Sequence, residues 1–112
     1  MKIYNRFSMD RTAKIRLTGE PDTLARLVQD RQLKDRRIWA LFVKQFRKHP
    51  DDEEKSWKGE YWGKLMRGGC LTWQYTHDQE LYDVLEWTVR DMLTAQDADG
   101  RISTYSKGAE FH

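Results

Sequence analysis

A single cysteine, Cys70, stands among the 112 residues, so no internal disulfide framework braces the fold. The three histidines share no paired spacing with one another or with Cys70. That leaves no zinc pattern, and neither a metal nor another cofactor is expected within the chain. Long apolar runs are also missing. None approaches the length of a membrane span, and the opening stretch "MKIYNRFSMDRTAKIRL" has no apolar segment of the secretory-signal kind. These absences predict a reduced, intracellular chain, placed in the cytoplasm, with no membrane partner.

Apolar material is scarce, at 38% of residues against 34% charged, and the mean hydropathy is −0.92. Such values raise the question of disorder. However, 12% of residues are aromatic and five are Trp, which disordered chains lack. The composition predicts one small folded domain whose burial depends on large rings.

The net charge of +2 conceals an asymmetry. Residues 1–50 carry 13 Lys and Arg against 5 Asp and Glu, giving +8, whereas residues 51–112 carry 7 against 13, giving −6. A basic arm for nucleic acid would show such an excess. Here the cations alternate with apolar residues at helical spacing, the pattern of a solvated face, so nucleic acid is not the expected partner.

Along the chain, "AKIRLT" (13–18) alternates as a short half-buried strand would, in an N-terminal arm over residues 1–20. Gly19 ends it. Pro21 suits a first helical position and Asp22 a first turn, so a short helix is predicted over about 21–31, with Leu24, Leu27 and Val28 as its stripe. A second, over 35–49, sets Ile38, Trp39, Phe42, Val43 and Phe46 on one side until His49-Pro50 stops it. After the acidic loop "PDDEEKS", a third helix is predicted over 59–75 and a fourth over 78–96. In the fourth, Asp78 is the N-cap and Leu81, Val84, Leu85, Val89, Met92 and Leu93 form the stripe. The brief "THD" connection forces these two into an antiparallel hairpin. "DADG" reads as a turn, because Ala95 and Ser106 would stand where a calcium loop needs carboxylates. "RISTYS" alternates like a brief extended segment. The fold class expected is all-α: antiparallel helical hairpins with short N-terminal and C-terminal extended segments.

"WKGEYWGKLMRGG" (57–69) combines two Trp, a Tyr and four Gly with ionic groups. At about 100° per residue, Tyr61, Leu65 and Thr72 cluster together, with Trp62, Met66 and Trp73 beside them and Leu71 and Tyr75 completing an apolar arc. Glu60, Lys64, Arg67 and Gln74 share the polar stripe. That arc exceeds half the circumference, more than one neighbouring helix covers. Gly68 and Gly69 each cost a helix about 1 kcal/mol relative to Ala, which points to a backbone or ligand close by. The fourth helix is one-sided, with Asp83, Glu86 and Arg90 opposite its stripe, as an outer helix would be. An inner helix wet along one stripe and paired with an outer one is the unit of a toroid of hairpins, and two pairs do not close a ring.

The run "WKGEYWGKLMRGG", followed by "YTHDQELYDVLEWTVRDMLTAQDADGRISTY", resembles the N-terminal part of the β-L-arabinofuranosidase-type glycoside hydrolases, glycoside hydrolase family 127 and its relatives. The resemblance covers roughly residues 57–105 and is weaker from "RLTGEPD" through "FRKH". It departs at Leu65, His77 and Arg101, where Trp, Gly and an aromatic are usual. It implies that residues 21–112 are an incomplete (α/α)6 barrel. It also implies exo-hydrolysis of terminal L-arabinofuranosyl or related sugars from plant-type glycans by the complete protein, with a cysteine thiolate near zinc as nucleophile and a glutamate as acid/base. Those groups lie downstream of this chain, so no catalytic residue is assigned here, Cys70 and His112 included, and the chain alone is expected to be inactive. Glu60, Trp62 and Lys64 are the substrate-binding candidates. Against this stand core packing for Trp57, Tyr61 and Trp62, and a plain i,i+4 ion pair for Glu60 and Lys64. The partners implied are a carbohydrate in the full-length protein and the rest of the barrel, or another chain, against the exposed helix face. A stand-alone helical module for binding protein or carbohydrate is the alternative.

Overall fold

The computed structural model describes residues 14–50 and 58–109. Among them are four α-helices: α1 (Glu20–Val28), α2 (Arg36–Lys48), α3 (Lys58–Thr76) and α4 (Gln79–Leu93). A π-helical turn, Gln29–Leu33, leads out of α1. The described part is all-α.

The helix ends follow local chemistry. Gly19 caps α1 at φ 69°, a left-handed conformation that suits glycine, and Glu20 and Asp22 sit in the first turn, where the helix dipole favours acids. The Asp35 carboxylate accepts the Arg37 amide at 3.0 Å to open α2. The helix closes at Lys48, where His49 turns left-handed at φ 43° ahead of Pro50. His77 is also left-handed, at φ 52°, a conformation glycine adopts without steric strain. That turn delivers Asp78 as the cap of α4, accepting the Leu81 amide at 2.8 Å.

The two-residue turn makes α3 and α4 antiparallel, with Trp62 beside Thr88 at one end and Trp73 beside Tyr82 at the other. α2 lies against both. Trp39 meets Trp62 edge-on at 6.4 Å between ring centroids, and the Arg36 guanidinium lies 5.0 Å over the Trp87 ring. The core is Leu33, Trp39, Leu81, Val84 and Leu85, flanked by the half-buried Trp62, Leu65, Met66, Trp73 and Trp87. Trp39 is fully buried, and its indole N–H donates to the Leu33 carbonyl at 2.7 Å. This buried cluster is thus aliphatic but for Trp39, with three further Trp half-buried around it.

Several expectations need correction. Residues 14–18 form no strand: no described strand lies beside them, and the Leu17 amide donates instead to the Tyr75 hydroxyl at 3.2 Å. Residues 101–106 are likewise irregular, folded so that Thr104 is buried against Gly59. The first helix breaks into the π turn at Gln29, and α4 ends at Leu93 rather than near 96. On α4 the buried face is Leu81, Val84, Leu85, Thr88 and Met92, while Val89 and Leu93 of the expected stripe are exposed. Thr88 tolerates full burial because its hydroxyl accepts the Trp62 indole N–H at 3.0 Å.

α1 departs furthest. It has no buried residue, and Leu24, Leu27 and Val28 are all exposed. Polar groups hold it instead. The Tyr75 hydroxyl donates to Asp22 at 2.5 Å, while Gln29 accepts from the Thr76 hydroxyl at 2.6 Å and donates to Asp78 at 3.3 Å. The helix is therefore mounted by its polar side, with its leucine stripe turned away.

Candidate functional site

Glu60, Trp62 and Lys64 all stand in the first turns of α3, yet the helix sends them two ways. Lys64 Nζ lies 2.6 Å from the Glu60 carboxylate and 5.8 Å from the Tyr61 ring centroid. The Glu60 hydrogen bond holds Lys64 above the ordinary lysine range. Trp62, about 160° from Glu60 around the helix, is turned toward α2 and α4 through its contacts with Trp39 and Thr88. The structure thus brings Glu60, Tyr61 and Lys64 together on an open surface and turns the half-buried Trp62 toward the core. Trp57 and His112 lie outside the described residues.

The rest of α3 divides along the same line. On the packed side Gly69 is buried, and an added Cβ there would stand 2.6 Å from Leu85 Cδ2. Gly69, one of the two glycines expected to mark a close approach, does so against α4. Gly68 does not, for nothing lies within 4 Å of the Cβ position. On the open side the polar stripe of Glu60, Lys64, Arg67 and Gln74 is exposed, as expected. Tyr61 is 47% and Leu71 57% exposed. The Tyr61 ring centroid lies 6.2 Å from that of Phe42 on α2. Tyr61, Lys64, the half-buried Gly68 and Leu71 follow one another at three- and four-residue spacing, so this partly open flank runs about 15 Å along α3. α4, expected to be the outer helix, is better buried than α3.

A second cluster was missed by sequence reasoning. Lys34 Nζ lies 3.1 Å from Asp30, 3.0 Å from Asp78 and 3.0 Å from Glu80. Burial works against its charge, but Glu80, Asp78 and Asp30 outweigh that and hold Lys34 well above the ordinary lysine range. The Leu81 amide, and after it Lys34, keeps Asp78 below the usual carboxylate range despite partial burial. An open polar cleft of about 600 Å³ adjoins, lined by Asp30, Arg31, Lys34, Asp35, Arg37 and Glu80. Since the cleft's lysine is ringed by carboxylates, the arrangement ties the π turn to the start of α4 and leaves no concentrated charge for a ligand. Only the Asp30–Lys34 spacing was visible in sequence, because Asp78 and Glu80 arrive through the fold.

The remaining candidates are structural. Arg101 binds Asp97 at 2.8 Å and the Tyr105 carbonyl at 3.0 Å, clamping a turn in which Gly100 has φ 90°. This confirms the turn reading of "DADG". Cys70 is exposed, with Met66 Sδ 3.7 Å from its Sγ. Among the described residues no three His, Cys, Asp or Glu are grouped so as to hold a metal ion. No described helix is long and apolar enough to cross a membrane. No protein-family model, curated protein or solved structure matches this chain.

Proposed function

We propose that this chain is the N-terminal helical part of a β-L-arabinofuranosidase-type glycoside hydrolase. It supplies the first hairpins of an (α/α)6 barrel, and the catalytic thiolate, its zinc and the acid/base glutamate lie elsewhere. The observation that carries this reading is the uncovered flank of α3, where exposed Tyr61 and Leu71 adjoin the Glu60–Lys64 pair. A helix apolar over more than half its circumference that packs on α2, α4 and the π turn and still leaves Tyr61 and Leu71 exposed has room for a further neighbour. The ordered motif from Trp57 to Tyr105 supplies the family.

In this reading Glu60 and Lys64 face the sugar. A carboxylate accepts two sugar hydroxyls, the ammonium donates to a ring or glycosidic oxygen, and the Tyr61 ring offers an apolar plate. Trp62 acts at one remove, fixing the first turns of α3 through Thr88 and Trp39. The thiolate nucleophile, its zinc and the acid/base glutamate that the family implies have no counterpart among these residues, and Glu60 is held by Lys64 at 2.6 Å. The chain by itself therefore releases no sugar.

The test has two parts. The coding sequence past the His112 codon is expected to continue in frame into further amphipathic helix pairs and a cysteine cluster. In that complete enzyme Glu60→Ala is expected to raise KM or lower kcat by roughly tenfold or more, as loss of a charge-assisted hydrogen bond to substrate does. A stop codon at once, arabinose release by the 112-residue chain, or unchanged kcat and KM in the variant contradicts the proposal.

A further inference from the structure

The outward stripe of α1 is a separate surface. Leu24, Leu27 and Val28 are 51%, 51% and 45% exposed, and Ile15 and Leu17 of the preceding arm are exposed beside the helix in sequence. The inward side of α1, Asp22, Ala25 and Gln29, is fixed by the bonds to Tyr75, Thr76 and Asp78, so rotating the helix to bury its leucines would break them. The stripe is committed to face outward.

The charges at its two ends identify what covers it. Glu20 stands one turn before Leu24, and Arg31 one turn after Leu27. Both are exposed, and neither has an ion-pair partner among the described residues. Other charges of α1 and the π turn are used internally, Asp22 by Arg26 and Asp30 by Lys34. Lay two copies of α1 antiparallel about a two-fold axis passing between Leu24 and Leu27. Leu24 of each copy then meets Leu27 of the other, Val28 meets Thr23, and Glu20 meets Arg31 at both ends. The sequence offsets are equal, four residues from Glu20 to Leu24 within α1 and four from Leu27 to Arg31 across the start of the π turn, each close to one turn. One register therefore satisfies the apolar stripe and both free charges. Run parallel, the helices would set Glu20 against Glu20 and Arg31 against Arg31.

We propose that the chain self-associates as a two-fold dimer through antiparallel α1 helices, with Leu24, Leu27 and Val28 as the core and Glu20–Arg31 pairs closing each end. The contact is one helix wide, below the roughly 800 Å² per partner of a standard interface, so the dimer is weak, with Kd in the region of about 10–100 μM. This inference is independent of the hydrolase reading, since α1 and the open flank of α3 are different surfaces.

Sedimentation velocity on the full chain over a concentration series is the test. The expected result is a monomer–dimer equilibrium that weakens with added salt. Glu20→Arg and Arg31→Glu are each expected to raise Kd roughly tenfold, and the doubly exchanged variant to return within about threefold of the parent, because it restores opposite charges at both ends. Leu27→Asp is expected to leave a monomer with unchanged helical circular dichroism, since Leu27 is exposed in the single chain. A monomer throughout the series overturns the proposal. So does a dimer indifferent to Leu27→Asp, or a double exchange that fails to recover association. Dimerisation through the α3 flank instead would show as loss on Leu71→Asp with Leu27→Asp silent, and it too overturns the α1 proposal.

Discussion

Replacing Trp39 with alanine is expected to leave the chain largely unfolded at room temperature. Trp39 is fully buried at the junction of α2, α3 and the π turn, packed edge-on against Trp62. Truncating a buried Trp costs about 3–5 kcal/mol through lost transfer energy and the cavity left behind. The Leu33 carbonyl, which accepts the indole N–H at 2.7 Å, loses its side-chain donor as well, at a further cost of about 1 kcal/mol. Domains of this size have about 5–15 kcal/mol in total, and one this poor in aliphatic residues stands toward the lower end. Urea titration followed by circular dichroism is expected to show no cooperative transition for Trp39→Ala. Leu41→Ala on the exposed side of the same helix is expected to stay within about 0.5 kcal/mol of the parent, since Leu41 is 59% exposed. A Trp39→Ala variant with near-parental stability would mean the core lies elsewhere.

The second large effect is a contrast between adjacent glycines. At Gly69 the Cβ position already overlaps Leu85, which is itself 6% exposed and hemmed in by the core. Gly69→Leu forces α3 and α4 apart, and overpacking of this kind costs about 1–3 kcal/mol or more. At Gly68 nothing lies within 4 Å of the Cβ position, so Gly68→Ala meets no clash. It should gain most of the roughly 1 kcal/mol by which glycine disfavours a helix interior. The melting temperature is therefore expected to fall by ten degrees or so for Gly69→Leu and to rise by several for Gly68→Ala, at about 4–8 °C per kcal/mol. Equal losses at both positions would place an unrecognised neighbour over the open flank.

How far the sequence foretold this arrangement depended on whether local chemistry or a remote partner decided the outcome. The existence of all four helices, the Asp78 cap, the stop at His49-Pro50 and the turn at Gly100 follow from residues within a few positions of each other, and the structure agrees. The inward face of α2 was visible for the same reason, since Trp39 and Val43 are its apolar centre. The strand over 13–18 was read from alternation alone, but a strand needs a partner and α3 offers that segment a tyrosine hydroxyl instead. The leucine stripe of α1 reads as a core stripe because periodicity reports amphipathicity and not which side docks. Asp22 and Gln29 decide that through Tyr75, Thr76 and Asp78, about fifty positions away. Thr88 passed unnoticed because its burial depends on Trp62 on another helix. Of the candidate site, the Glu60–Lys64 pair was visible as an i,i+4 spacing, whereas the inward turn of Trp62 depended on what α2 and α4 presented to it.

The account rests on α3 having a flank that its own chain leaves uncovered, and thiol labelling measures this directly. In a Cys70→Ser background, Leu71→Cys places one reporter at the C-terminal end of that flank, where the side chain is 57% exposed. Under native conditions it is expected to react with an aromatic disulfide reagent within a fewfold of its rate in urea, as an unprotected thiol does. A native rate about a hundredfold or more slower, the protection given by a packed surface that must open before it reacts, would show the flank already jacketed and would contradict the account.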